Sequence, residues 1–181
     1  DCLTLWLSNI LIDAEELTAL KGIETKTLPA RISQINQLSN DIIEVQLRFP
    51  PAANFKFLEG QYLDVLWNGL RRSYSIASTS LDKEVTLLIK KVEQGVMSDY
   101  WFNQAKLNDL LRIEGPKGTF FLRNKERPII MLATGTGIAP IMSILHKLDQ
   151  DENQQQPISL FWGNRFADDF VWQPEFKNIT V

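Results

Sequence analysis

The chain has 181 residues, room for one large or two small domains. Its formal net charge of −3 argues against nucleic-acid binding as a whole-chain property. Its single cysteine, Cys2, excludes an internal disulfide and a multi-cysteine metal site, so no metal ligand is assigned. No apolar run reaches the roughly 18 residues of a transmembrane helix. The apolar start 1–12 carries Asp1 and no basic flank, which is not the pattern of a signal peptide, and a cytoplasmic setting is expected.

In chain order, residues 1–27 read as a lead-in, 28–124 as an all-β domain and 125–181 as the start of an α/β domain. Residues 30–38 and 42–49 alternate apolar and polar around the turn Ser39-Asn40-Asp41. Further short strands are predicted over 62–67, 72–77, 85–92, 111–114 and 119–122. Turn signals at Trp67-Asn68-Gly69, Ser80-Leu81-Asp82 and Gly115-Pro116-Lys117-Gly118 separate them. Strands this short and regular predict a closed barrel, with one helix near 97–104. Past Arg127-Pro128 the pattern changes. Residues 129–133 form a continuous apolar run, expected to be buried on both faces. Ile138, Ile141, Met142, Ile144, Leu145 and Leu148 follow at helical spacing, and 158–162 is a second apolar run. Strand–helix–strand is the opening of a doubly wound domain. Only 54 residues follow Arg127, so two or three strands and exposed parallel edges are expected there.

Two segments bring chemistry. Arg72-Ser73-Tyr74-Ser75 offers a cation, an aromatic face and two hydroxyls. Arg72 can grip a phosphate bidentately. Tyr74, two residues on, faces the same side of the strand and can stack on a flat heterocycle. Ser75 points the other way, or to the strand end, where its hydroxyl can bond a ring nitrogen or oxygen. An edge strand with solvated arginines is the ordinary alternative. Gly95-Val96-Met97-Ser98 opens the predicted helix, whose free N–H groups can bind phosphate; taken alone, these residues favour a plain strand end with a serine cap. Gly135-Thr136-Gly137-Ile138-Ala139-Pro140 follows an apolar strand and opens a helix, the context a phosphate-binding turn requires. Pro140 replaces the third glycine of the dinucleotide fingerprint, and a tight turn without ligand is the alternative.

These motifs, with Gly115-Pro116-Lys117-Gly118-Thr119-Phe120 and Trp162-Gly163-Asn164-Arg165 after them, stand in an order that resembles the ferredoxin–NADP reductase superfamily over residues 28–181. The resemblance implies a six-stranded antiparallel FAD-binding barrel followed by a doubly wound NAD(P)-binding domain. It implies that Arg72 holds the flavin pyrophosphate, Tyr74 stacks on the isoalloxazine and Ser75 sits near its N5, Tyr74 and Ser75 being the catalytic candidates. Ser73, Ile89, Lys90, Gly95, Val96, Met97 and Ser98 complete the expected FAD contacts. Gly135, Thr136, Gly137 and Arg165 would meet NAD(P)H.

The lead-in, with Cys2-Leu3-Thr4, Ile12-Asp13-Ala14-Glu15-Glu16 and Gly22 to Pro29, resembles the stretch joining an iron–sulfur domain to the barrel in CDP-6-deoxy-3,4-glucoseen reductases. A plant-type cluster needs four cysteines, so this chain holds none and its acceptor would be an iron–sulfur domain or protein. The implied function is an NAD(P)H-dependent flavoprotein reductase module, with deoxysugar biosynthesis as the setting the resemblance points to. The alternative is a non-catalytic flavin-binding or electron-relay module, and the completeness of the α/β half separates the two. His146 is expected at the solvated surface and the tryptophans in the core. Lys90-Lys91 has an ordinary solvated-face reading; Asp168-Asp169, near Trp172, is a candidate for positioning a nucleotide, with a common two-acid loop as the ordinary alternative.

Overall fold

The structure, a computed structural model, describes residues 22–123, 127–153 and 156–181. The lead-in motifs around Cys2 and Ile12, and the expected domain boundary at 124/125, lie outside these residues. β1 (Lys26–Gln37), β2 (Ile42–Arg48), β3 (Tyr62–Trp67), β4 (Leu70–Ser75), β5 (Val85–Lys90) and β6 (Leu110–Lys117) form one antiparallel sheet in the order β4-β3-β6-β1-β2-β5. The period-two pattern does what strand geometry requires. Along β2, Ile43, Val45 and Leu47 are buried, while Glu44, Gln46 and Arg48 point outward. With Ile32, Leu63, Val65, Leu87 and Ile113 they form the barrel core. The sheet curls until its two end strands meet at a single bridge, Ile76 to Leu87. The turn Trp67-Asn68-Gly69 stands as read, with Asn68 at φ 47° and Gly69 at φ 78° joining β3 to β4.

Several expectations are corrected. β1 begins at Lys26, so the last lead-in residues are strand. Pro29 is tolerated there because β1 pairs at that point with β6 alone; its pairing with β2 starts at Arg31. The expected turn at Gly115 is strand through Lys117. Pairing of Lys26 with Gly115 and of Tyr62 with Lys117 overrides local turn propensity, and a register shift in β3–β6 absorbs the one extra residue. Residues 119–122 form no strand. The expected single helix is α1 (Val96–Asp99), continuing into a π-helical turn, Tyr100–Gln104.

β7 (Ile129–Thr134), a 3₁₀ turn Gly135–Ile138, α2 (Ala139–Asp149) and β8 (Ile158–Gly163) form the second unit, with β7 and β8 parallel. α2 buries Ile141, Met142, Ile144, Leu145 and Leu148 against Ile129, Met131 and Ile158, and also against Ala77 and Leu88 of the barrel. The Ser143 hydroxyl donates to the Ser78 carbonyl at 2.6 Å across the same contact. β7 is not buried on both faces. α2 covers one side only, and Ile130 and Leu132 are 69% and 73% exposed. His146 is not a solvated residue. It is half-buried, edge-on to Trp172 at 5.6 Å and Phe176 at 6.1 Å, because residues 172–176 fold back over α2. Among the described residues no helix is long and apolar enough to cross a membrane.

Candidate functional site

The barrel leaves one seam. β4 and β5 each pair on one side only and touch each other at Ile76 and Leu87. Beyond that bridge the two strands are unpaired, β4 running back through Tyr74 and Arg72 and β5 running on through Ile89 to Lys90. Arg72 and Tyr74 share the inward face, since their partners in β3 are the fully buried Val65 and Leu63. Arg72 is exposed at the seam's mouth, its one side-chain bond among the described residues running from Nη1 to the Arg71 carbonyl at 2.7 Å. Tyr74 is half-buried. Its hydroxyl accepts from Trp101 Nε1 at 2.9 Å, and the two rings meet edge to face at 6.0 Å. Burial pushes the Tyr74 phenol up, outweighing Trp101 and the nearby Arg72, so the ring stays neutral.

Ser73 and Ser75 face outward. Ser73 Oγ donates to Asp64 Oδ1 at 2.6 Å, within a network that also brings Arg71 and Lys117 to Asp64 at 2.9 and 2.7 Å. Burial opposes ionisation of Asp64, yet the hydrogen bonds from Lys117, Ser73 and Arg71 hold its carboxyl below the usual range. Glu114 completes the network, held down to about 2 by Arg71 and Lys117. The Ser73 side chain is therefore engaged away from the seam. The Ser75 hydroxyl has no hydrogen-bond partner among the described residues.

α1 starts beside the seam. The Asp99 N–H reaches back to the Gly95 carbonyl at 2.8 Å. The N–H groups of Val96, Met97 and Ser98 are the ones a helix start leaves without an intrahelical acceptor. Ser98 Oγ accepts from the Val92 N–H at 2.9 Å and closes the loop leading in. Val96 is exposed, whereas Met97 and Ile89 are buried in the core and can offer only backbone.

In the second unit the turn Gly135–Ile138 lies at the carboxyl ends of parallel strands, where open α/β sheets bind ligands. The same turn packs beside β5, which brings it to the seam. Gly135 sits at φ +52°, and open space surrounds the Cα atoms of Gly135 and Gly137 on the side a Cβ would take. Trp162 Nε1 donates to the Gly135 carbonyl at 2.9 Å and fixes the turn to β8. Arg165 is exposed just past β8, and Thr136 lies between the two glycines. Lys90 does not point freely to a cofactor. Its ammonium lies 3.0 Å from Asp169 and 3.2 Å from Asp41.

Sequence reasoning missed how three residues are engaged. Trp101 orients Tyr74, Asp169 engages Lys90, and Asn164 has both carboxamide atoms shielded from solvent without a partner among the described residues. In the sequence Asn164 stood out only as part of Trp162-Gly163-Asn164-Arg165, with no role of its own. An orphaned donor–acceptor pair beside the Gly135 turn suits a nucleotide, which presents both kinds of group. The seam likewise suits a flavin: a cation and a neutral ring lie along β4 and helix-start N–H groups lie beside it, with the uncommitted Ser75 hydroxyl at the end of β4. By contrast, the groove of about 600 Å³ walled by Pro29, Phe49, Pro50 and Leu110 lies on β1, β2 and β6, away from the seam.

Known proteins bear on this arrangement. Residues 29–122 match the oxidoreductase FAD-binding domain and residues 131–181 the oxidoreductase NAD-binding domain. The chain is 43% identical over 157 residues to the CDP-6-deoxy-L-threo-D-glycero-4-hexulose-3-dehydrase reductase of Yersinia pestis, covering 86% of this chain and 47% of that protein. It is 36% identical over 144 residues to the toluate 1,2-dioxygenase electron transfer component of Pseudomonas putida, covering 78% and 43%. Ferredoxin-NADP+ reductase from Plasmodium falciparum has the same fold with a TM-score of 0.71 and 28% identity, over 81% of this chain and 62% of that one. The chain spans about half the length of the curated relatives it matches.

Proposed function

Since this chain belongs to the oxidoreductase FAD-binding family, within the ferredoxin–NADP reductase superfamily, we propose that it is the reductase module that carries electrons from NAD(P)H through FAD to an iron–sulfur centre or partner protein. The observation that carries this reading is the seam between β4 and β5, with the Gly135 turn of the second unit set against it. The proposed division is a flavin barrel over 28–124 and the start of a nucleotide domain over 125–181. FAD, when bound, supplies the redox chemistry, accepting a hydride and releasing its electrons singly.

The chain's part is to hold and orient. Arg72 and the backbone N–H groups of Val96, Met97 and Ser98 neutralise the pyrophosphate, and Gly95, whose own N–H is bonded to the Val92 carbonyl, lets the backbone come close. Tyr74, fixed by Trp101 and neutral, gives the isoalloxazine an apolar face. Ser75 is assigned to hydrogen-bond the flavin near N5, since its hydroxyl is uncommitted. Gly135, Thr136 and Gly137 receive nucleotide phosphate, while Asn164 and Arg165 meet the nucleotide beyond it. Ser73, Ile89, Met97 and Lys90 contribute backbone only. The likeness to a reductase named for a CDP-deoxyhexulose dehydrase favours an acceptor in deoxysugar chemistry. The single cysteine suits a cytoplasmic setting. A purely structural flavin module is the weaker reading, because the Gly135 turn and the orphaned Asn164 form a nucleotide crevice that such a module does not need.

Anaerobic stopped-flow reduction of the FAD-loaded protein by NADH and by NADPH tests the reading. Ser75→Ala is expected to slow flavin reduction several-fold more than it weakens FAD binding. No reduction of the bound flavin by either nucleotide, in a protein containing this chain at full length, contradicts it.

A further inference from the structure

We infer that Lys90 and Asp169 form a latch that sets the nucleotide crevice against the flavin seam, and that they are positioning residues for transfer between the two cofactors. The role rests on the function proposed above; the latch itself does not.

Asp169 ends the short 3₁₀ turn Ala167–Asp169, four residues after Arg165. Its side chain is only 5% exposed. A carboxylate so far out of water needs a cation or several donors. The cation comes from the other unit, Lys90 Nζ at 3.0 Å. Ser39 Oγ, also of the barrel, stands at the limit of a hydrogen bond, 3.5 Å. Lys90 is the last residue of β5 and is held from its other side by Asp41 at 3.2 Å. The Lys91 N–H, bonded to the Asp41 carbonyl at 2.6 Å, ties the same corner together. Three charged groups thus join the end of β5, the β1–β2 turn and the segment after β8.

The second unit has another attachment. α2 sits on Ala77 and Leu88, and Ser143 bonds Ser78. That seat fixes one side of the unit. The latch fixes the side that bears Asn164 and Arg165. With both in place the crevice has one orientation relative to Tyr74 and Ile89; with the seat alone it can swing about α2. Only Asp169 is buried and the Lys90 side chain is 36% exposed, so the pair is a weak source of net stability, but removing Lys90 leaves a buried carboxylate uncompensated and the pair demands its own geometry. Its contribution here is therefore alignment, on which transfer between two bound groups depends steeply.

Two readouts test this. In the unloaded protein, amide hydrogen exchange over 166–170 and 39–41 is expected to rise at least tenfold in Asp169→Asn, with β7, β8 and the barrel strands unchanged. The reciprocal variant Lys90→Glu with Asp169→Lys places the new ammonium between the new carboxylate and Asp41, and is expected to restore protection. Exchange equal to the parent in Asp169→Asn, or no recovery in the reciprocal variant, overturns the latch. With FAD bound, Asp169→Asn is expected to keep the parent's FAD affinity and nucleotide KM within about twofold. Its flavin reduction at saturating nucleotide should fall about tenfold, a loss of roughly 1.4 kcal/mol in the barrier. An unchanged rate overturns the positioning role. A parent protein that takes up no FAD would overturn the proposed function instead, and the exchange result would still decide the latch.

Discussion

Replacing Tyr74 by phenylalanine separates two tasks that one side chain performs. Trp101 is 2% exposed, and its indole N–H has a single acceptor, the Tyr74 hydroxyl at 2.9 Å. Removing that oxygen strands a buried donor, which costs about 1–3 kcal/mol. The edge-to-face ring contact, worth about 0.5–1.5 kcal/mol, survives in phenylalanine and is lost in alanine. Tyr74→Phe should therefore lower the stability of the unloaded barrel by about 1–3 kcal/mol while leaving the ring available to a flavin. Tyr74→Ala should cost about 2–5 kcal/mol and also weaken FAD binding, because the packing surface goes with the ring. Urea unfolding followed by tryptophan fluorescence and far-ultraviolet circular dichroism measures the first effect, and FAD fluorescence titration the second. A Tyr74→Phe protein within about 0.5 kcal/mol of the parent, the range of neutral surface changes, refutes the claim that Trp101 depends on this hydroxyl.

Other predictions follow from the same geometry. Gly60 holds φ +103°, and a Cβ there would run into the Phe120 carbonyl and the Ile144 side chain on α2. Gly60→Ala should cost about 2 kcal/mol or more and loosen the seat of α2, read as a lower urea midpoint and easier proteolysis of the second unit. The Glu114 carboxyl is held down to about 2, below its ordinary value near 4.5, by Arg71 and Lys117. A depressed folded pKa gives stability that is present above the unfolded value and is lost as pH falls from about 4.5 towards 2. The stability difference between the parent and Glu114→Gln should thus be largest above pH 5 and vanish towards pH 2; a difference independent of pH removes the network from acid stability. Burial lowers the His146 pKa, so the unfolded chain takes up the proton first and stability falls as pH drops through 6.5. His146→Gln should flatten that part of the profile.

Much of the fold could be read locally. The alternation of β2 and the turn at Asn68-Gly69 depend on neighbouring residues, and so does the apolar stripe of α2. What escaped depends on partners distant in sequence. Gly115 and Pro116 signal a turn, yet β1 and β3 on either side hold them in β6. His146 is covered by residues almost thirty positions later. The apolar run of β7 signals burial on both faces, but α2 covers only one. At the site, residue types pointed to Arg72, Tyr74 and the Gly135 turn because their chemistry is intrinsic. Which side chains were already engaged could not be read. Ser73 belongs to Asp64 and Lys90 to Asp41 and Asp169, and both facts follow from strand faces and a contact between units.

The central claim is that the seam of the barrel is an FAD site, and equilibrium titration of the flavin-stripped protein with FAD tests it most directly. One FAD per chain is expected, with perturbed flavin absorbance and quenched fluorescence. Arg72→Ala, whose exposed side chain makes among the described residues only the bond to the adjacent Arg71 carbonyl, should fold as the parent does and bind FAD about ten- to a hundredfold more weakly, the range for a lost charged hydrogen bond. A folded parent that takes up no FAD, or an Arg72→Ala protein that binds it as tightly as the parent, would contradict the account.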